Sequence, residues 1–388
     1  MRRIDGGICA VPGVRAAGAR QGKYGVALIA ASGAAAGMYT TNKVRAAPLD
    51  LTAEHLAACG HLDGVIANSG CANAYTGARG KEDAKAMASI LAGLLGTDEK
   101  NIAVASTGVI GRYLDMDLLA RLSRQAFANL RSTSEASTEA AQAIMTTDTR
   151  VKEIAVEHQG VRLGGIVKGS GMIEPKMATM LCFLYTDADL TTTELQGCLK
   201  DAVRDSFNML TVDGDTSTND IILLTATGRA KCRLEDFREA LQYVCIDLAR
   251  MMARDGEGAS KCFETVVTGA GSLEDARAVA KAVARSSLVK TAIYGSDPNW
   301  GRIICAAGYS GAKVDPDRIS LHLEGGGIEV ALVERGRIME GGLDEARKIM
   351  SGEAIIIKID LDLGLACARA FGCDLTHGYV DINANYTT

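Results

Sequence analysis

Thr179 stands where a glycine-containing loop, KGSGMIEPK (168–176), meets an apolar run, MATMLCFLYTDA (177–188). A threonine hydroxyl is a weak nucleophile unless a base lies beside it. If the peptide bond between Ala178 and Thr179 breaks, the α-amine of Thr179 is freed, and such an amine has a reference pKa of about 7.7–8.0. It can then take the hydroxyl proton near neutral pH, so that nucleophile and base belong to one residue. The arrangement needs no histidine, which suits a chain with five of them and no HxxxH or HExxH pattern. The cut itself would begin with attack of the same hydroxyl on the Ala178 carbonyl, giving an ester that water opens. The plain alternative is a threonine that merely starts a strand.

Positioning such a group requires a rigid body. Short apolar runs rich in β-branched residues alternate with amphipathic stretches along the chain. Strands are expected at 25–31, 64–68, 102–106, 221–227 and 354–361, with a strand-like piece at 161–167 leading into the loop before Thr179. Helices are expected at 82–95, 114–131, 194–208, 234–253 and 273–285. The alternation reads as α/β. Pro175 excludes a regular helix across the join. GGG at 325–327, followed by IEVAL, reads as a hairpin turn. NSGCANAYTG (68–77) packs Asn68, Ser69, Asn73 and Thr76 into one glycine-flanked turn and is harder to assign to structure alone.

Composition narrows the function classes. A formal net charge of −5 and an aromatic content of 4% disfavour a phosphate-binding surface and base-stacking platforms, so no nucleic acid partner is expected. The start of the chain has no long apolar stretch, and neither a membrane span nor a secretory signal is expected. The 11 scattered cysteines form no CxxC pair and point to a reducing cytoplasm, and no metal site is expected.

Taken together the motifs resemble the ornithine acetyltransferase family of arginine biosynthesis, also called the bifunctional glutamate N-acetyltransferase family. KGSGMIEPKMATML looks like its cleavage-site signature. The resemblance also includes DGGICAVPGVRAAG (5–18), TTNKVRAAP (40–48), NSGCANAYTG, ASTGVIG (105–111), IMTTDT (144–149), DGDTSTND (213–220), RDGEGASK (254–261), GSDPNWGRI (295–303) and GCDLTHGYVDINANYTT (372–388). These come in the family's order and cover essentially the full chain.

The resemblance implies a layered α/β sandwich cut before Thr179 into an alpha chain, 1–178, and a beta chain, 179–388. These would associate as a heterotetramer of two of each. It implies that Thr179 accepts the acyl group and that Thr107 and Gly108 stabilise the oxyanion; taken alone, STG reads as a turn with a capping hydroxyl. Substrate contacts carry over to Thr146 (Thr147 could align there instead), Lys168, Glu257, Asn383 and Thr388. Alone, Lys168 would be a solvated surface lysine, Glu257 a loop glutamate and the tail disordered. The implied reaction is ping-pong transfer of acetyl from N²-acetylornithine to glutamate, with no cofactor; whether acetyl-CoA also serves as donor is left open. An N-terminal-threonine amidase or aminopeptidase passing its acyl group to water is the competing enzyme, and an uncut glycine-rich scaffold the non-enzymatic reading. The chain departs from the family pattern where Cys71 replaces an asparagine, Tyr75 a cysteine, and Arg150-Val151 stands where many members have proline. This leaves the fine shape of the turn at 68–77 to be determined.

Overall fold

The alternation in LCFLYTDA resolves as the strand Leu181–Ala188, whose Leu181, Phe183 and Tyr185 enter one core while Cys182 and Leu184 enter another. A strand buried on both faces belongs in the middle of a sheet. It pairs antiparallel with Val161–Lys168 and parallel with Ile221–Ala230. The computed structural model describes residues 1–174 and 180–385; Pro175, Ala178, Thr179 and Thr388 lie outside the described residues.

Among the described residues two sheets form. The larger has nine strands, running from Arg2–Ile4 through Lys152–His158, Val161–Lys168, Leu181–Ala188, Ile221–Ala230, Tyr24–Tyr39 and His61–Ser69 to Ile102–Ser106, with Arg15–Gln21 added beside Tyr24–Tyr39. The smaller has seven, centred on Ala354–Asp360, Cys262–Ala270 and Ala366–Cys373. Helix Leu234–Arg254 packs on both sheets. Its Phe237, Leu241, Val244, Leu248 and Met252 recur at helical spacing and join the core that holds Val156 and Leu163 of the larger sheet and Phe263 and Phe371 of the smaller. The layered α/β architecture is therefore as expected.

Each expected strand falls within an observed one, except that 354–361 runs one residue past Ala354–Asp360, and each expected helix overlaps an observed one. The stretch 194–208 divides, with the helix Thr192–Arg204 followed by a short 3-10 turn at Phe207–Met209. Gly325 and Ile328 face each other across the expected hairpin, so Gly326 and Gly327 form its two-residue turn at φ 58° and 78°. The C-terminal segment is a helix, His377–Asn385, rather than loose chain.

The segments 1–178 and 179–388 do not form separate bodies. Tyr24–Tyr39 pairs with Ile221–Ala230, and Val161–Lys168 with Leu181–Ala188, so the join falls between neighbouring strands of one sheet. A backbone break there would leave both parts held by the ladder. Among the described residues no helix is long and apolar enough to cross a membrane.

Candidate active site

Strand Ile102–Ser106 ends at Thr107, whose N–H donates to the Asn68 carbonyl at 3.0 Å. Asn68 in turn donates from Nδ2 to the Cys71 carbonyl at 2.9 Å and accepts the Ser106 hydroxyl at 2.6 Å. The STG and NSG segments thus brace each other. Gly108 has φ +129°, and a Cβ there would lie 2.4 Å from the Gly70 carbonyl carbon and 2.5 Å from the Cys71 nitrogen. Both obstacles are backbone and cannot swing aside. Gly108→Ala is therefore expected to lower the free energy of unfolding by roughly 2–5 kcal/mol, read from urea denaturation. A loss below about 0.5 kcal/mol, the range of neutral surface changes, would show that the close approach is not needed.

The turn at 68–77 takes its shape from its own side chains. Asn73 donates to the Gly80 carbonyl at 2.8 Å, and the Thr76 hydroxyl donates to Asn73 Oδ1 at 2.8 Å. Cys71 is buried beneath the turn, with Sγ 3.2 Å from the Arg112 carbonyl, and Tyr75 is 82% exposed at φ 58°. Neither departure from the family pattern lines the cavity described next.

That cavity, about 140 Å³, is lined by Thr107, Gly108, Thr146, Thr147, Lys168 and Glu257, with Tyr379 and Asn383 of the C-terminal helix closing it. The structure thus brings together around one cavity the described residues to which the resemblance gave a role, whereas Asn68, Ser69, Asn73 and Thr76 of the turn at 68–77 do not line it. Lys168, at the end of its strand, is buried, and its Nζ donates to Thr146 Oγ1 at 3.0 Å and Thr107 Oγ1 at 3.3 Å. A hydroxyl that accepts from Lys168 keeps its own proton for donation into the cavity. Thr147 also lines the cavity, but its hydroxyl is engaged with Ser170 Oγ at 2.8 Å, so Thr146 is the threonine joined to Lys168. Glu257, also lining the cavity, accepts at Oε2 from Asn383 Nδ2 at 2.9 Å. Burial lowers the Lys168 ammonium from its ordinary pKa, a shift that nearby Asp148 partly offsets and Lys152 reinforces.

Asp148 and Lys152 were not singled out from the sequence, although IMTTDT contains the first. Asp148 Oδ1 accepts from Lys152 Nζ at 2.7 Å and from the Gly169 N–H at 2.6 Å, and Oδ2 accepts the Thr146 N–H at 3.1 Å. Lys152 also pairs with Asp255 at 2.5 Å. Burial alone would raise the Asp148 carboxyl, but the Lys168 and Lys152 cations and the Gly169 N–H bring it down to about 2. A carboxylate with a depressed pKa stabilises the fold above its unfolded value, and that stabilisation is lost as pH falls through the folded one. Asp148→Asn should then destabilise the protein by roughly 1–3 kcal/mol at neutral pH, because Lys152 keeps Asp255 but loses one of its two carboxylates and Lys168 loses the carboxylate 3.9 Å away. The gap to wild type should narrow between about pH 4 and 2 in acid-denaturation curves. Parallel curves across that window would show that Asp148 is not the charged partner.

Asn219, within DGDTSTND, is a further positioning group. Its Nδ2 donates to the carbonyls of Ala72 at 2.6 Å and Ser106 at 2.8 Å, tying the third loop to the other two. Asp213 accepts the N–H groups of Met172 and Ile173 at 2.6 and 2.7 Å, fixing the segment upstream of the join.

A cavity lined by a buried cation, a carboxylate and two hydroxyls suits a small zwitterion that carries a polar reacting group. Such a cavity in an α/β body suits an enzyme that acts on a small amino-acid derivative. The family model described as the ArgJ family matches residues 12–388, and the chain belongs to the ArgJ family. It is 54% identical over 395 residues to a glutamate N-acetyltransferase of Methanosarcina mazei, covering 100% of both chains. It is 48% identical over 379 residues to the arginine biosynthesis bifunctional protein ArgJ of Archaeoglobus fulgidus, covering 97% of this chain and 99% of that one. A solved structure of the arginine biosynthesis bifunctional protein argJ from Bacillus halodurans matches at 42% identity with a TM-score of 0.49, covering 52% of this chain and 96% of that chain.

Proposed function

We propose that the protein is a glutamate N-acetyltransferase of arginine biosynthesis that cuts itself between Ala178 and Thr179 and then works from the freed Thr179. Acetyl transfer rests on family membership; the route rests on the cavity. The observation that carries it is a single cavity lined by Lys168, Glu257, Thr107 and Thr146, with the Lys168 ammonium joined to both threonine hydroxyls. N²-acetylornithine would place its carboxylate by Lys168 and its free amine by Glu257. Its acetyl carbonyl would then lie against the Thr107 hydroxyl and the Gly108 N–H.

The Thr179 hydroxyl attacks the acetyl carbonyl and its α-amine takes the proton. As the tetrahedral intermediate collapses, the C–N bond to ornithine breaks, the proton passes to the leaving amine, and an acetyl-threonine ester remains. Glutamate enters by the same contacts, its amine attacks the ester, and N-acetylglutamate leaves with the hydroxyl restored. The chemistry calls on no metal or organic cofactor. The chains 1–178 and 179–388 would stay joined through the shared sheet and pair as a heterotetramer in the cytoplasm. Asn383 and Thr388 of the tail would complete the substrate site.

The test is incubation with N²-acetylornithine with and without glutamate. Ornithine release that requires glutamate, with matching N-acetylglutamate, supports transfer. Equal release without glutamate would make the protein a hydrolase. Replacing the donor by acetyl-CoA in the same assay decides whether it too serves.

A further inference from the structure

Before the cut, the amine of Thr179 is an amide nitrogen and cannot serve as base, so cleavage needs another proton carrier than transfer does. This inference rests on the cleavage reading above. Four described carboxyl groups line the cavity: Asp213, Asp215, Asp220 and Glu257. Asp213 is committed to two backbone N–H groups, Glu257 holds Asn383, and Asp215 is exposed. Lys168 is engaged with Thr107 and Thr146.

Asp220 differs from all of these. It is 1% exposed, and its Oδ2 has no hydrogen-bond partner among the described residues. An orphaned buried carboxyl oxygen is costly and calls for an explanation. It also stands beside Met180, the first described residue after the join. Ile221 pairs with Leu181, and the Ile221 N–H donates to the Met180 carbonyl at 2.9 Å, which sets Asp220 next to the residue following Thr179.

We infer that Asp220 relays the proton during self-cleavage, taking it from the Thr179 hydroxyl at one carboxyl oxygen and releasing one to the departing nitrogen from the other. In this step the bond from Thr179 Oγ to the Ala178 carbonyl carbon forms and the bond from that carbon to the Thr179 nitrogen breaks. The carboxyl ends as it began, and the freed amine gains the proton the hydroxyl lost. Water then opens the ester, leaving the Ala178 carboxylate and the restored hydroxyl. A relay of this kind starts from a neutral acid. Burial lifts the Asp220 carboxyl well above the usual carboxylate range, against the opposing pull of the Thr40 and Ser217 hydroxyls, the Met180 N–H and the Lys168 cation.

The experiment follows cutting of the full chain by intact mass after expression and dilution into fresh buffer, for wild type, Thr179→Ala, Asp220→Asn and Asp220→Glu. Asparagine matches aspartate in shape but cannot exchange a proton between two oxygens; glutamate can, from a displaced position. The expected order of cutting rates is wild type, then Glu within about 10-fold, then Asn slower by about 10²-fold or more. A role confined to packing predicts the reverse, because the longer glutamate fits a buried site worse than asparagine. Asn cutting as fast as Glu, or faster, overturns the inference. The Thr179→Ala control separates the two readings. If that variant still cuts, the assignment of Thr179 fails. If it stays whole while Asp220→Asn cuts normally, only the relay fails.

Discussion

Thr179→Ala is expected to give a single species of 40.7 kDa with no second N-terminus beginning Thr-Met-Leu-Cys, and acetyl transfer lowered by roughly 10⁴–10⁶-fold, the scale for loss of a covalent nucleophile. Two separate losses coincide in this variant. Without the hydroxyl nothing attacks the Ala178 carbonyl, and without the cut no α-amine exists to act as base. The fold should survive, because the strands on either side of the join, Val161–Lys168 and Leu181–Ala188, pair along their length whether or not the chain is continuous between them. Melting within a few degrees of wild type is therefore part of the expectation. Thr179→Ser serves as the companion, since it keeps a hydroxyl and an α-amine. It should cut and transfer at reduced but measurable rates. Normal cutting or normal turnover by the alanine variant would remove Thr179 from the chemistry and with it the ping-pong scheme.

The parts of this fold that were legible in the sequence are those whose burial is done by large side chains. Leu234–Arg254 announces itself through Phe237, Leu241, Val244, Leu248 and Met252, and Leu273–Arg285 through Val279 and Val283. Helix Ser134–Ile144 was not expected, and the reason is physical. Its buried face is mostly alanine, Ala136, Ala140, Ala141 and Ala143, and it lies directly on glycines of the strands beneath. A Cβ on Gly18 would sit 2.1 Å from the Glu139 carbonyl oxygen, and one on Gly25 would sit 2.1 Å from that of Ala143. Backbone packed against backbone leaves no apolar periodicity to read. The long strand Tyr24–Tyr39 was seen only at 25–31 because its second half, GAAAG, lacks the β-branched residues that mark a strand.

The site divides in the same way. Thr107, Gly108, Lys168 and Glu257 stand in motifs whose order carried the resemblance, and the fold gathers them around one cavity. Asp148, Lys152 and Asn219 act through buried partners, several of them distant in sequence, and Asp220 is marked only by its burial. Lys152 looks like an ordinary strand lysine until Asp148 and Asp255 are seen to close around it. No spacing rule could supply that pairing, because Asp255 comes from the end of a helix more than a hundred residues away.

Thr107→Ala should slow both cutting and turnover by about 10²–10³-fold, the usual consequence of losing one donor to a developing oxyanion. The two reactions share a requirement: each passes through a tetrahedral carbon bearing a negatively charged oxygen, first on Ala178 and later on the acetyl group. The effect should fall on kcat rather than KM. Lys168 loses its 3.3 Å contact with Thr107 but keeps Thr146 at 3.0 Å, so the cation that would hold the substrate carboxylate stays in place. The Glu257–Asn383 contact does not involve Thr107 at all. An interaction made only at the transition state lowers kcat and kcat/KM together, whereas loss of uniform binding raises KM alone. Thr107→Ser supplies the control, since it returns the hydroxyl without the methyl group and should recover most of the rate. A rise in KM with kcat unchanged would recast Thr107 as a prop for Lys168. Unaltered rates in both reactions would mean that the hydroxyl beside Gly108 is a strand-end cap and that the oxyanion is held by other donors.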